Sequence, residues 1–167
     1  MPLTPDDLAQ FIAVCAPTAR LLRDQGDTPT VPAAAAALGV APDQIIKTLL
    51  FLVGAGDSAQ LVVVISHGER RIDKARLAAH FTTGKQNVRL APAEVVLAHT
   101  GYAVGGVPPF GHTERHPVLL DAAVPHAAER YGGQLYGGGG DDHTMLQLTL
   151  SDLVRICTPV VVALSTQ

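Results

Sequence analysis

Thr48-Leu-Leu-Phe-Leu-Val53, Gly54-Ala-Gly-Asp-Ser58 and, two residues on, Leu61-Val-Val-Val-Ile65 decide the fold. Two apolar runs of strand length, the second mostly β-branched, flank a turn of glycine, aspartate and serine, which predicts a β-hairpin. Immediately upstream, Pro42-Asp-Gln-Ile-Ile-Lys47 reads as one or two helical turns running into the first strand. Downstream, Gly68–Arg71 turns the chain, and Asp73–Phe81 carries Leu77 and Phe81 at helical spacing. A further helix, Pro92–His99, opens on a proline and is closed by Gly101.

Towards the N-terminus, Thr4-Pro5-Asp6-Asp7 predicts a helix start, with a hydroxyl cap, a proline in the first turn and acids at the positive helix end. Leu8, Phe11, Ile12 and Cys15 give it an apolar face, and Pro17 ends it. Asp24–Pro32, with Gly26, Asp27, Pro29 and Pro32, predicts a loop, and Ala33–Leu38 a short helix stopped by Gly39. In the second half, Tyr102–Gly111 is a Gly- and Pro-rich connection and Pro117–Asp121 a short strand. Gln134–Tyr136 precedes the run Gly137–Gly140, and Met145–Leu150 alternates as a strand. Ser151-Asp152 caps a last helix, and Val160–Leu164 reads as a closing strand. Strands and short helices mix without a regular βαβ beat, which predicts α+β with a mixed sheet.

The chain has 167 residues, 47% of them apolar and 16% charged, with a formal net charge of −3. That supplies a sizeable core for a single domain over residues 1–167 and argues against disorder. It also excludes a polycationic surface that coats nucleic acid. Aromatic content of 4% with no Trp disfavours stacking platforms for single strands. The two cysteines, Cys15 and Cys157, have no Cys-x-x-Cys spacing and read as reduced core thiols. The start Met-Pro-Leu-Thr-Pro-Asp-Asp lacks the pattern of a secretory signal, and the apolar runs are strand-sized. The expectation is a cytoplasmic protein with no membrane contact.

Among candidate chemistries, His112 and His116 are four apart, but Pro108, Pro109, Gly111 and Pro117 oppose a helix, and His112-Thr-Glu-Arg-His116 fits no zinc-protease pattern. They are expected as surface loop histidines, with no metal. Gly137–Gly140 is followed by Asp141-Asp142, which would repel a phosphate, so a flexible loop rimming a pocket is expected. No Gly-x-Ser-x-Gly elbow is present.

Two features remain. Lys47 stands between Ile45-Ile46 and Leu49-Leu50 as a single cation in an apolar segment. It reads either as a lysine snorkelling off a helix end or as a fixed cation beside a pocket, suited to an anionic or carbonyl oxygen. Gly101-Tyr-Ala-Val-Gly105-Gly106-Val-Pro-Pro109-Phe-Gly111 combines close backbone approach with stiffening prolines. It reads either as a structural connection or as a loop aiming N–H groups at a carbonyl.

Asp43-Gln-Ile-Ile-Lys47-Thr-Leu-Leu-Phe51, the Gly101–Gly111 segment and Val118-Leu-Leu-Asp121, in this order, resemble the YbaK/prolyl-tRNA synthetase-associated editing family, from about Ala33 to Leu164. The helix Asp73–His80 and the tail Leu148–Leu164 are similar to it as well. The resemblance implies a mixed, strongly curved, barrel-like sheet flanked by short helices. It implies a free-standing trans-editing deacylase that hydrolyses a wrong amino acid from the 3′ end of a tRNA, usually proline tRNA, using no cofactor, metal or covalent nucleophile. Prolyl-tRNA synthetase is the implied protein partner. Lys47 and Gly105 take the catalytic positions. Gly101, Tyr102, Gly106, Val107, Pro108, Pro109 and Asp121 take substrate-binding ones, the part played by Asp121 lying open between catalysis and structure. Arg70, Arg71, Lys74 and Arg76 read as a phosphate-facing patch or as a solvated helix face. Tyr136-Gly-Gly-Gly-Gly140 stands where the alanine-specific branch carries a His-Pro pair, which points towards cysteine or other small residues as the edited group. A non-catalytic module that binds a tRNA end or nucleotide, and a hydrolase for other small esters, are the competing classes.

Overall fold

The computed structural model of the chain describes residues 1–26 and 30–166. In chain order the elements are α1 (Pro5–Cys15), β1 (Arg20–Leu22), α2 (Val31–Leu38), β2 (Ile46–Val53), β3 (Gln60–His67), β4 (Arg71–Ile72), α3 (Lys74–His80) and β5 (Val88–Leu90). They continue with α4 (Ala93–Thr100), β6 (Val118–Asp121), α5 (Ala123–Ala128), β7 (Gln134–Gly138), β8 (Met145–Thr149), α6 (Leu150–Cys157), β9 (Val160–Val162) and β10 (Ser165–Thr166).

The expected hairpin is the centre of the molecule: β2 and β3 pair antiparallel along their whole length, from Ile46↔His67 to Val53↔Gln60. They sit inside a five-stranded sheet of order β5-β2-β3-β6-β9, antiparallel from β5 to β3 and parallel from β3 to β9. The hairpin runs are continuously apolar because both faces of this sheet are covered. Ile46, Leu50, Val63 and Ile65 face one core cluster with Leu8, Tyr102, Leu135 and Leu146. Phe51, Val53, Val62 and Val64 face a second cluster with Leu77, Val88 and Leu164. A three-stranded antiparallel sheet of order β1-β8-β7 packs alongside, joined to the first by a single parallel bridge between Ile45 and Tyr136.

The α+β class with a mixed sheet is the observed one. The barrel-like closure is not: the described strands form three separate sheets, none closed, because β7 meets the main sheet at one bridge only. Further corrections are local. Pro42–Gln44 makes a single 3-10 turn and the strand starts at Ile46, so Lys47 stands in β2 rather than at a helix end. Gly137 and Gly138 belong to β7, paired with Leu146 and Met145, instead of forming a loop. The last helix is capped by Thr149, whose hydroxyl accepts from the Asp152 N–H at 3.1 Å. The last long strand ends at Val162. The strands β1 and β5, three residues each, and α5, which contains Pro125, carried too little periodicity to be foreseen.

At the N-terminus the Thr4 N–H donates to Asp7 at 2.8 Å, a reciprocal cap of α1. The helix foreseen from Ala33 begins two residues earlier, with Thr30 accepting from the Ala33 N–H. In the expected loop before it, Asp27 and Pro29 lie outside the described residues. Among the described residues no helix is long and apolar enough to cross a membrane.

Candidate active site

Strand β5 covers only the Phe51–Val53 end of β2, and among the described residues β7 bridges to this side of the main sheet only at Ile45, just before β2 begins. Between these points β2 has no strand neighbour on its outer side. The Leu50 carbonyl turns that way, accepting from the Ala91 N–H at 2.9 Å, whereas the Ile45 carbonyl turns inward to Gly68. By the alternation of an antiparallel ladder, the N–H and C=O of Thr48 point outward as Leu50's do.

A cavity of ≈ 420 Å³ occupies this gap. Ile46, Lys47, Thr48 and Leu50 of β2 form its floor, Ala91 and Val96 one side, and Ala34 of α2 with Met145 of β8 another. Val104, Gly105 and Val107 close it. The two features that stood apart in the sequence therefore share one cavity.

Lys47 is half-buried, and its Nζ donates to the Arg70 carbonyl. Three N–H donors on an ammonium leave two for other acceptors. Burial first, and then the Arg71 charge, lowers its pKa from the usual lysine value, against the opposing fields of Asp121 and Glu69.

Gly105 has φ of 106°, and nothing lies within 4 Å of where a Cβ would stand, so its backbone faces open space. Gly106 is different: a Cβ there would lie 2.5 Å from the Asp141 backbone nitrogen. A Cβ on Gly138 would lie 2.5 Å from the Val107 carbonyl oxygen, and the Gly140 N–H donates to the Gly106 carbonyl at 2.8 Å. The glycine run thus packs backbone against backbone on the 105–107 loop and holds it over the cavity. This is the physical role of a run whose spacing fits no phosphate-binding motif.

Pro108 and Pro109 are buried behind the loop, where the Pro108 carbonyl meets His112 Nε2 at 2.6 Å and the Pro109 carbonyl accepts from the Cys157 thiol at 3.4 Å. Burial pushes that thiol up to about 12, so Cys157 is the reduced core group expected, while Cys15 is only partly buried. Gly101 and Tyr102 do not line the cavity. Gly101 ends α4 in the left-handed conformation, φ 85°, and Tyr102 is enclosed in the core.

Asp121 is buried at the end of β6 and does not line the cavity either. Its carboxylate accepts from Ser66 Oγ at 3.0 Å and from the Leu164 N–H at 3.1 Å. Burial pushes its pKa up, but hydrogen bonds from Ser165, Leu164, Ser66 and Ala123 together outweigh it and hold the group below the usual aspartate value. A lowered folded-state pKa contributes stability that is present above the unfolded value of about 3.9 and is lost as pH falls through the folded value. Asp121→Asn should therefore be destabilised at neutral pH and show a shallower loss than the parent as pH falls below about 4, as read from melting temperatures. An equal acid slope in both proteins would show that Asp121 does not carry it.

Of the four basic residues, Arg70 and Arg76 are engaged with the C-terminal strand: Arg70 Nε donates to Ser165 Oγ at 2.6 Å and Arg76 Nη1 to the Ser165 carbonyl at 3.1 Å. Arg71 and Lys74 are exposed. His112 and His116, expected on the surface, are partly buried. The burial of His112 against the Pro108 carbonyl lay beyond the reach of sequence spacing.

The aminoacyl-tRNA editing domain model matches residues 25–156. The chain belongs to that family. It is 35% identical over 95 residues to YwhH of Bacillus subtilis, an uncharacterised protein, the match covering 57% of each chain. It is 31% identical over 96 residues to the proline–tRNA ligase of Moorella thermoacetica, covering 58% of this chain and 16% of the ligase. The chain thus spans about half of one of these relatives and a small part of the other. Among solved structures, a protein provisionally assigned as a trans-editing enzyme for prolyl tRNA synthetase superposes with a TM-score of 0.83 at 23% identity, covering 100% of this chain and 99% of the other. The hypothetical protein APE2540 superposes with a TM-score of 0.80 at 32% identity, covering 96% and 99%. The editing domain seen here is thus an α+β fold whose cavity lies at the uncovered edge of β2.

Proposed function

We propose that residues 1–167 act as one editing domain that hydrolyses the ester of a mischarged aminoacyl-tRNA, and that the substrate is proline tRNA carrying a small non-cognate residue such as cysteine. The observation that carries this reading is the convergence of Lys47 with Gly105 and Val107 on one cavity. An aminoacyl ester is already activated, so orientation, a cation and aimed N–H donors suffice to speed its hydrolysis. Water, or a group of the substrate itself, attacks the carbonyl carbon. The bond to the ribose oxygen breaks, that oxygen takes a proton, and with water the amino acid leaves as its carboxylate. Lys47 offers its remaining N–H groups to the aminoacyl-adenosine end. Gly105 and Val107 present backbone to the scissile carbonyl, and Gly106, its N–H donating to the Ala103 carbonyl and its own carbonyl accepting from the Gly140 N–H, anchors the loop between them. Pro108, Pro109, Gly101 and Tyr102 position that loop from behind, and Asp121 supports the Lys47 charge from the sheet.

The partners in this reading are the tRNA acceptor end and prolyl-tRNA synthetase. A matching segment within a proline–tRNA ligase supports that pairing. Arg71 and Lys74 supply phosphate contacts. Editing is needed at all because small side chains differ by only about 1–3 kcal/mol in a binding pocket. The apolar walls, with Ile46, Leu50, Val96 and Met145, fit a small side chain better than a charged one.

The test is deacylation of proline tRNA charged separately with cysteine, alanine, serine, 2-aminobutyrate and proline. Fast loss of one small non-cognate residue with proline spared is the expected result. No loss from any of them would overturn the proposal in favour of a non-catalytic binder, and equal loss from free aminoacyl esters would overturn it in favour of a general esterase.

A further inference from the structure

We propose that His99, Glu114 and His116 form a binding site for a divalent transition-metal ion of the zinc class, separate from the cavity described above. Two imidazoles and a carboxylate are a ligand set that zinc accepts, with water in the fourth position. The three ligand atoms lie within 4.8 Å of one another. His99 Nδ1 is 2.7 Å and His116 Nε2 3.4 Å from the same oxygen, Glu114 Oε2.

In a tetrahedral site with bonds of about 2.0–2.1 Å, ligand atoms stand about 3.3–3.4 Å apart. One edge of the triangle already has that length. The 2.7 Å edge needs only to open from a hydrogen bond to a ligand spacing. His116 Nε2 is buried and, among the described residues, has no aligned hydrogen-bond partner, Glu114 Oε2 standing 3.4 Å away. An ion between them would satisfy it.

The chain brings these residues together by a route no sequence spacing reveals. His99 sits in the last turn of α4, and its carbonyl accepts from Thr113 Oγ at 3.1 Å. The next carbonyl, Thr100's, accepts from the Thr113 N–H at 3.1 Å. The residue before Glu114 is thereby pinned to the helix end, so the site is held before any ion arrives. Arg115, between the two ligands, acts on the buried Cys157. Glu114 and His116 also line a cavity of ≈ 170 Å³ with room for a water ligand.

The test is titration of tag-free protein, stripped with chelator, with Co²⁺ followed by visible absorption and with Zn²⁺ followed by calorimetry. One equivalent of Co²⁺ should bind with d–d bands that Zn²⁺ abolishes. His99→Ala, His116→Ala and Glu114→Gln should each weaken Zn²⁺ binding by about 100-fold or more, since even outer-shell partners are worth about 10–100-fold. His80→Ala, on an exposed helix end, should bind as the parent does. Melting temperatures of the metal-free variants verify folding, and Glu114→Gln preserves shape where an alanine variant does not fold. Absence of saturable binding by the parent, or undiminished binding by Glu114→Gln, would overturn the proposal and leave the cluster a hydrogen-bonded pair.

Discussion

Lys47→Ala is expected to slow deacylation of the mischarged tRNA by roughly 100-fold, the cost of misplacing by about 1 Å the aminoacyl-adenosine end that its ammonium holds. The variant should stay folded. Lys47 is half-buried, and the substitution removes its hydrogen bond to the Arg70 carbonyl. A net contribution of about 1 kcal/mol for such a bond corresponds to a melting shift of about 2–4 °C in a chain of this size. Lys47→Arg should not restore the rate, because a planar fork cannot occupy the place of a compact ammonium wedged between β2 and the turn after β3. Single-turnover rates with each variant, alongside melting curves, read the outcome. Parent-like turnover by Lys47→Ala would remove the cation from the mechanism while leaving the cavity and loop in place.

The second large effect is expected at Gly138→Ala, where the cavity wall meets the back of the 105–107 loop. Its new methyl would meet the Val107 carbonyl oxygen at 2.5 Å and the Val107 carbonyl carbon at 2.9 Å. Backbone on both sides leaves nothing flexible to yield, so the loop moves by a fraction of an ångström. Misplacement on the scale of 1 Å costs up to about 100-fold in rate, and overpacking of this kind costs about 1–3 kcal/mol in stability. Gly137→Ala makes the comparison: its methyl meets only side-chain atoms, Ile46 Cγ1 at 3.0 Å and Cδ1 at 3.3 Å, which need give by only a few tenths of an ångström. The rate with Gly138→Ala should therefore fall at least ten times further than with Gly137→Ala. Equal rates in the two would mean that the glycine run does not hold the loop.

The hairpin was legible because two uninterrupted apolar runs around Gly54–Ser58 admit little else, and the helices were legible where Thr4, Asp73 and Gly101 mark their ends. Lys47 and Gly105 stood out because a cation among isoleucines and glycines before two prolines are locally anomalous. What escaped depends on contacts between distant segments. Gly137 and Gly138 read as loop because glycine is a poor strand former, yet at Gly138 only glycine lets two backbones meet. His99 stands fifteen residues before Glu114, and only the Thr113 bonds bring them together. Arg70 and Arg76 read as candidates for phosphate until Ser165, far along the chain, proved to hold them. The barrel-like sheet was implied by the family resemblance alone, and the gap beside β2, the cavity itself, leaves no trace in the pattern of apolar residues.

That gap also orders the assembly of the molecule in time. The β2–β3 ladder joins neighbours in sequence, Val53 to Gln60 at its closed end, whereas β3 pairs with β6 at Val63 and Val118, and the loop at Gly106 rests on Asp141. Local closures form in microseconds, and those that span long stretches of chain form later. The strand bearing Lys47 therefore exists before the loop that completes its cavity, and for that interval its outer peptide groups are open to any other strand. Nascent chains at high concentration would find one another through this edge, the same one that in the finished fold borders the cavity.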